Sequence, residues 1–248
     1  MFSLFSTKKT LIKYGLPTQM TDVHMHLLPG VDDGAKTVEE SIALLEKLYS
    51  YGVKRVIFTP HIAMSFPQNT TASLRECFEE FKKEVSTLSV PQLHLAAEYM
   101  LDEGFLKHLN SADGLLTFDG ERVLVEVSFR GCSMTVVQEL LFQLSLKKYI
   151  PVLAHPERYP YMKMEEYKML RDCGCEFQLN IAALGSRYGK KSHEIAHKLL
   201  SQYMYEYAAS DMHGMRHMGV YEDVKIDAQT YKRLSMLLEN NDTLWGKE

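Results

Sequence analysis

Thr21-Asp-Val-His24-Met-His26-Leu-Leu-Pro-Gly30-Val-Asp32-Asp33-Gly34 is the segment on which the reading of this chain turns. Its first part, Thr21–His24, is a short apolar run of strand type, and its second is an acidic loop bounded by glycines. In an extended chain residues i and i+2 point the same way, so the imidazoles of His24 and His26 can reach one small volume. Other short apolar runs end in the same fashion. Arg55–Thr59 leads into Pro60-His61, Leu93–Glu98 ends on Glu98, and Val123–Val127 carries Glu126. Pro151–Ala154 leads into His155-Pro-Glu-Arg158, and Glu206–Ser210 into Asp211-Met-His213, a second i, i+2 pair. Glu176–Asn180 is a further run of this type.

Between the runs lie stretches with apolar residues three and four apart. They are Val38–Tyr51 (Ile42, Leu44, Leu45 and Leu48 inward), Leu74–Leu88, Thr135–Lys147, Met164–Cys173, Lys191–Gln202 and a closing Ala228–Glu239. Strands alternating with helices imply βα units and a parallel sheet buried on both faces. Seven such units without a Pro-, Gly- or Ser-rich linker predict a closed or nearly closed barrel. That reading makes residues 21–248 a single domain behind an N-terminal extension of residues 1–20; a doubly wound open sheet is the alternative. In a parallel barrel all strand C-termini open on one face, where active sites sit.

Composition fits an ordinary globular protein and excludes several other classes. The 248 residues are 46% hydrophobic and 24% charged, with a formal net charge of -4, so disorder is excluded and nucleic acid or an anionic membrane is not the expected partner. The cysteines, Cys77, Cys132, Cys173 and Cys175, match neither a zinc ribbon nor a CxxC pair, which points to free thiols in a reducing compartment. The first residues lack the apolar core of a signal peptide, and no run of about 18 apolar residues occurs, so the expected location is cytoplasmic. Phe2, Leu4 and Phe5 beside Lys8, Lys9 and Lys13 give the extension a docking character, although a frayed terminus is the simpler expectation.

One histidine at a strand end is more often a hydrogen-bonded structural residue than a ligand. Histidines or carboxylates at six of the seven strand ends are not accidental, and an ionised carboxylate inside an apolar run such as Val123-Leu-Val-Glu126-Val needs a cation beside it. Converging imidazoles and carboxylates with no thiolate describe a multinuclear site for Mn, Fe, Zn or Co. His94, His108, His193, His197 and His217 stand apart from the strand ends, His217 least clearly. A cysteine phosphatase is excluded because no arginine lies six residues after any cysteine. Gly185-Ser-Arg-Tyr-Gly189-Lys-Lys-Ser192 fails the spacing of a phosphate-binding P-loop and reads as a helix start.

With Asp22–Gly34, Thr59-Pro-His61, Ala154-His-Pro-Glu-Arg158 and Ser210-Asp-Met-His213 in order along it, the chain resembles the PHP (polymerase and histidinol phosphatase) superfamily. Within that superfamily it resembles the bacterial manganese-dependent protein-tyrosine phosphatases of capsule and exopolysaccharide loci. The resemblance implies a distorted (β/α)7 TIM-like barrel holding three divalent ions, with Mn first in expectation. It places the ligands at His24, His26, Asp33, His61, Glu98, Glu126, His155, Asp211 and His213, with Glu98 bridging ions. Arg158 and Arg216 are the arginines it implies for the phosphoryl group. It also implies hydrolysis of phosphotyrosine by a hydroxide that the ions activate, on the tail of a membrane tyrosine autokinase. Phe66, Phe129 and Tyr159 are candidates to stack on the substrate ring, with plain core or rim packing as the alternative for each. A phosphatase of a small monoester such as histidinol phosphate, and a non-catalytic metal- or phosphotyrosine-binding module, are the alternatives.

Overall fold

The computed structural model describes residues 7–17 and 19–246. Seven strand positions form a parallel ring. β2 (Thr21–Met25) pairs with β3 (Arg55–Phe58), and β3 with β5 (Gln92–Leu95). A second ladder runs β4 (His61–Ile62), β6 (Glu98–Met100), β7 (Arg122–Glu126), β8 (Ile150–Ala154), β9 (Glu176–Asn180) and β10 (Tyr207–Ala209). The two ladders are one wall: β3 and β4 are a single bent strand interrupted at Thr59-Pro60, and β5 and β6 another interrupted at Ala96-Ala97. Across those bends Ala96 N donates to Phe58 O (2.8 Å) and Glu98 N to Pro60 O (3.1 Å). Closure comes where His26 N donates to Met212 O (2.8 Å) and Asp211 N to His24 O (3.0 Å). The open-sheet alternative is thereby set aside for an α/β barrel of the TIM-like type.

Each break has a local cause. Proline cannot donate to a ladder, so pairing stops at Pro60. The run expected as one strand over Leu93–Glu98 bends at two fully buried alanines and resumes in the neighbouring ladder. In β2 the register slips between Asp22 and Met25, a bulge of the kind that re-aims side chains beside active sites.

Helices cover the outside: α2 (Val38–Ser50), α3 (Thr71–Val85), α4 (Phe105–Leu109), α5 (Met134–Leu146), α6 (Met164–Asp172), α7 (Gly189–Ser201), α8 (Gly219–Glu222) and α9 (Ala228–Asn240). α2 begins where the Thr37 side chain accepts from Glu40 N, satisfying an otherwise orphaned donor, and buries Leu44, Leu45 and Leu48. Ile42, expected on that inner side, is only partly buried.

The barrel interior is layered. Val23, Ile57, Ala96, Leu124, Val152 and Ala209 form a compact apolar layer, closed below by Phe118 and Leu244 with Trp245 against it. Asn241 is fully buried and ties this stopper to the strands, its Nδ2 donating to Thr21 O (2.8 Å) and Ala208 O (2.7 Å). Two residues further along four of these rows stand polar side chains, Thr59, Glu98, Glu126 and Asp211, the last three of them in the site.

The extension is built into the fold from Lys9 onward rather than frayed. β1 (Lys9–Thr10) pairs antiparallel with β11 (Lys225–Ile226), α1 (Leu11–Tyr14) buries Leu11 completely, and the Tyr14 ring stacks 4.2 Å from that of Tyr231. Phe2, Leu4 and Phe5 lie outside the described residues. Among the described residues no helix is long and apolar enough to cross a membrane, and all four cysteines are free.

Candidate metal centre

All nine residues expected as ligands meet at the C-terminal mouth of the barrel. Glu98, fully buried on β6, is the hub: its carboxylate lies 3.3 Å from His24, 3.4 Å from His26, 3.2 Å from His61 and 3.0 Å from His155. Glu126 at the end of β7 reaches His61 at 3.1 Å. Asp211 Oδ1 faces His24 (3.4 Å) and His213 (3.3 Å). Asp33, the most exposed of the set, stands 3.5 Å from both His61 and His213. Three subsets have mutually close donor atoms: His26, Asp33, His61 and His213; His24, His26 and Glu98; His61, Glu98 and Glu126.

The backbone strains to make this arrangement. His155 (φ 37°) and Asp211 (φ 53°) sit in the left-handed region without being glycine, a cost found where a side chain must be aimed. Pro156 then starts a single 3-10 turn, Pro156–Arg158, that carries Arg158 back over the site. Arg158 Nη1 donates to Asp211 Oδ2 (2.9 Å), and its guanidinium lies between the rings of Phe129 (4.6 Å) and Tyr188 (4.3 Å). Arg216 is exposed on a 3-10 turn, Met215–Met218, between His213 and His217 of the cleft but is not itself among the lining residues, and Arg187 Nη1 donates to its carbonyl (2.8 Å). The cleft, about 340 Å³, is lined among others by Asp33, Arg158, Tyr188 and His217. His217 thus belongs to the mouth; burial pushes its imidazole down to about 4, so it is neutral there.

Sequence reasoning missed the residues that hold the ligands. Asp32, rather than its neighbour, accepts from His26 Nδ1 (2.8 Å), Gly34 N (2.9 Å) and His61 N (3.0 Å). Gln178 Oε1 lies 2.7 Å from His24 Nδ1, and Asn180 Nδ2 donates to Asp211 Oδ2 (2.8 Å). Such partners orient an imidazole and raise its basicity. The signal was present in Glu176-Phe-Gln178-Leu-Asn180, where polar residues alternate with apolar ones in a strand that should be buried on both faces. Of the two readings open for Tyr159 the structure has core packing: the ring is fully buried and its hydroxyl donates to Ala154 O (3.2 Å). Phe129 is exposed at the rim, and Phe66 stacks flat on His61 with centroids 5.5 Å apart.

The donor set fits divalent cations. Glu98 Oε2 and His61 Nδ1 are buried with no hydrogen-bond partner among the described residues. With Nδ1 of each ring turned to Gln178 and Asp32, His24 Nε2 and His26 Nε2 face each other 3.1 Å apart, where neutral rings present two lone pairs to the same space. Nitrogen and oxygen donors without sulfur suit borderline-hard ions.

Without ions, protons take the cations' part. Burial alone would lower the imidazoles, but the charges of Glu98 and Asp211 lift His24 to about 9, and Glu98 with Glu126 lifts His61 to about 10. Against burial, the surrounding imidazolium charges hold Glu98 well below the carboxylate range. A histidine raised above its unfolded value of 6.5 contributes stability that is complete below that pH and lost as pH climbs through the folded value. The metal-free protein should therefore melt at a lower temperature at pH 9.5 than at pH 6.5, and saturating Mn should remove that alkaline loss. Melting curves with and without chelator at the two pH values check this; parallel losses in both would exclude the proton-for-cation exchange.

Comparison with known proteins agrees with this geometry. The family described as capsular polysaccharide synthesis, CpsB/CapC, matches residues 20–220. The tyrosine-protein phosphatase YwqE of Bacillus subtilis is 28% identical over 79% of this chain and 78% of its own length. The tyrosine-protein phosphatase CpsB of Streptococcus pneumoniae is 30% identical over 79% of this chain and 84% of its own. A solved structure from the pair YwqE of B. subtilis and CpsB of S. pneumoniae, metal-dependent tyrosine phosphatases, superposes with a TM-score of 0.72 at 25% identity, covering 89% of this chain and 95% of that one. Matched over most of its length by the family and by relatives that share its barrel, the chain belongs to the capsular polysaccharide synthesis CpsB/CapC family.

Proposed function

We propose that the protein is a metal-dependent protein-tyrosine phosphatase that hydrolyses phosphotyrosine on a tyrosine autokinase of capsule or exopolysaccharide synthesis, in the cytoplasm. The observation that carries this reading is the placement of Arg158 on the rim of a nine-residue nitrogen and oxygen donor set, in a cleft of about 340 Å³. Three divalent ions, Mn foremost, are held by His24, His26, Asp33, His61, Glu98, Glu126, His155, Asp211 and His213. When bound, such ions neutralise phosphoryl oxygens and lower the pKa of water toward neutrality, which a slow monoester hydrolysis requires.

The chain's own groups do the rest. Arg158, fixed by Asp211 and two rings, offers its remaining guanidinium protons to the phosphoryl oxygens without having to reorganise. Phe129 supplies an apolar wall at the rim for an aromatic leaving group. A phenolate, with a pKa near 10, departs more readily than an alkoxide and needs less protonation to do so, which favours tyrosine over serine esters.

Arg158→Ala is expected to lower kcat/KM by about 100- to 1,000-fold, as for loss of one preorganised charge-stabilising donor, while the metal content stays intact. Steady-state kinetics with elemental analysis checks both halves, and loss of metal would make Arg158 a structural prop of Asp211. The function itself is tested by comparing a phosphotyrosine peptide with histidinol phosphate and phosphoserine peptide on Mn-loaded protein. Preference for a small monoester would move the reading to another PHP activity, and no turnover of any ester would move it to a binding module.

A further inference from the structure

Asn180 settles which way the Tyr188 hydroxyl faces. Ala182 N donates to Asn180 Oδ1 (2.9 Å), so the amide's NH2 side is turned to its other neighbours, Asp211 Oδ2 (2.8 Å) and Tyr188 Oη (3.2 Å). The hydroxyl oxygen is thereby an acceptor, and its proton has to be directed elsewhere; no acceptor among the described residues takes it. A phenol at neutral pH keeps that proton and needs a partner for it when half-buried. Tyr188 lines the same cleft as His155, Arg158 and Asp211, and its ring is packed 4.3 Å from the Arg158 guanidinium. An unclaimed donor therefore stands beside the arginine that faces the phosphoryl group.

We propose that Tyr188 donates its hydroxyl hydrogen bond to a phosphate oxygen of the substrate, next to Arg158. The proposal rests on the phosphatase reading and deepens it: the group recognised is a phosphate dianion, met by a guanidinium and by the neutral phenol packed beside it. No proton is transferred, so the bond serves the bound ester and the released phosphate alike. The same ring braces Arg158, and the two roles separate in Tyr188→Phe, which keeps the ring and removes the donor, and Tyr188→Leu, which removes both.

The test uses full-length Mn-loaded protein and inorganic phosphate as the probe, titrated by calorimetry, with metal content measured for each variant and kcat/KM on a phosphotyrosine peptide alongside. Tyr188→Phe is expected to bind phosphate roughly tenfold or more weakly, the size of one hydrogen bond to a charged group, with unchanged metal content and a comparable fall in kcat/KM. Tyr188→Leu should be weaker still. In an Arg158→Ala background the effect of Tyr188→Phe should persist. Phosphate binding and kcat/KM of Tyr188→Phe within twofold of wild type would overturn the proposal. So would an effect that vanishes in the Arg158→Ala background, or a loss of metal from Tyr188→Phe, since either would mean that Tyr188 acts only through its neighbours. Wild-type protein that binds phosphate but does not turn over the peptide would defeat the phosphotyrosine reading and leave the Tyr188 measurement interpretable.

Discussion

Exhaustive chelation is expected to abolish ester hydrolysis and to lower the melting temperature by roughly 5–10 °C for each ion that had been held a hundredfold above its Kd. The size follows from mass action: such an ion contributes about 2.7 kcal/mol, and a chain of this length shifts about 2–4 °C per kcal/mol. The structure gives the reason that the effect should be large. Glu98, Glu126 and Asp211 are buried together, and Glu126 is raised first by burial and then by the charge of Glu98. Like-charged groups so placed destabilise the fold unless cations lie between them. Re-addition of Mn should restore both activity and melt. Full activity after verified metal loss, or a melt indifferent to it, would sink the metal reading entirely.

Gly34→Ala is expected to cost nearly as much, although Gly34 has no side chain to lose. A Cβ there would stand 1.8 Å from His26 O and 2.5 Å from His26 Cβ. Those atoms belong to the backbone and root of a ligand and cannot swing aside. The loop folds over the strand end through Gly34 N to Asp32 Oδ1 (2.9 Å) and Ala35 N to His26 O (2.9 Å), so relief of the clash has to lift Asp32 away from His26. The expected outcome is loss of metal, a fall in activity of more than about 100-fold, and a stability loss of roughly 3 kcal/mol, at the upper end for overpacking. Gly104→Ala is the control, because the Cβ there stands no closer than 3.1 Å to Asp102 Oδ1 and 3.2 Å to Met64 Cγ, side-chain atoms that need give by only a few tenths of an ångström. Elemental analysis and chemical denaturation of both variants decide it; equal behaviour would refute the packing argument.

Much of the site was legible because its chemistry is one-dimensional. The His24/His26 and Asp211/His213 pairs are i, i+2 patterns, and Glu126 is a charge in an apolar run. These features need only a strand's period to be read. The partition of roles between Asp32 and Asp33 was not legible, since adjacent identical residues differ only in which way the loop turns them. Nor were the two bends at Thr59-Pro60 and Ala96-Ala97. Periodicity reports which face a residue occupies and not the ladder its strand joins, so Leu93–Glu98 reads as one strand. Tyr159 shows the converse limit: next to Arg158 in sequence, it lies in the core with its hydroxyl on a carbonyl of β8. Arg216 depended on spacing after His213, and a variable loop carries no period at all.

The stopper of Asn241, Leu244 and Trp245 has a consequence for biogenesis. Ribosomes deliver the chain from its N-terminal side, yet ring closure joins Asp22 to Ser210, 188 positions apart, and the stopper emerges later still. A nascent polypeptide must therefore carry six or more strands with unsatisfied edges and a water-accessible interior before the tube can shut. Premature termination between residues 213 and 241 would release a molecule with its whole set of candidate metal-binding side chains and without Asn241, Leu244 and Trp245 to close its floor, a natural client for chaperones and proteases.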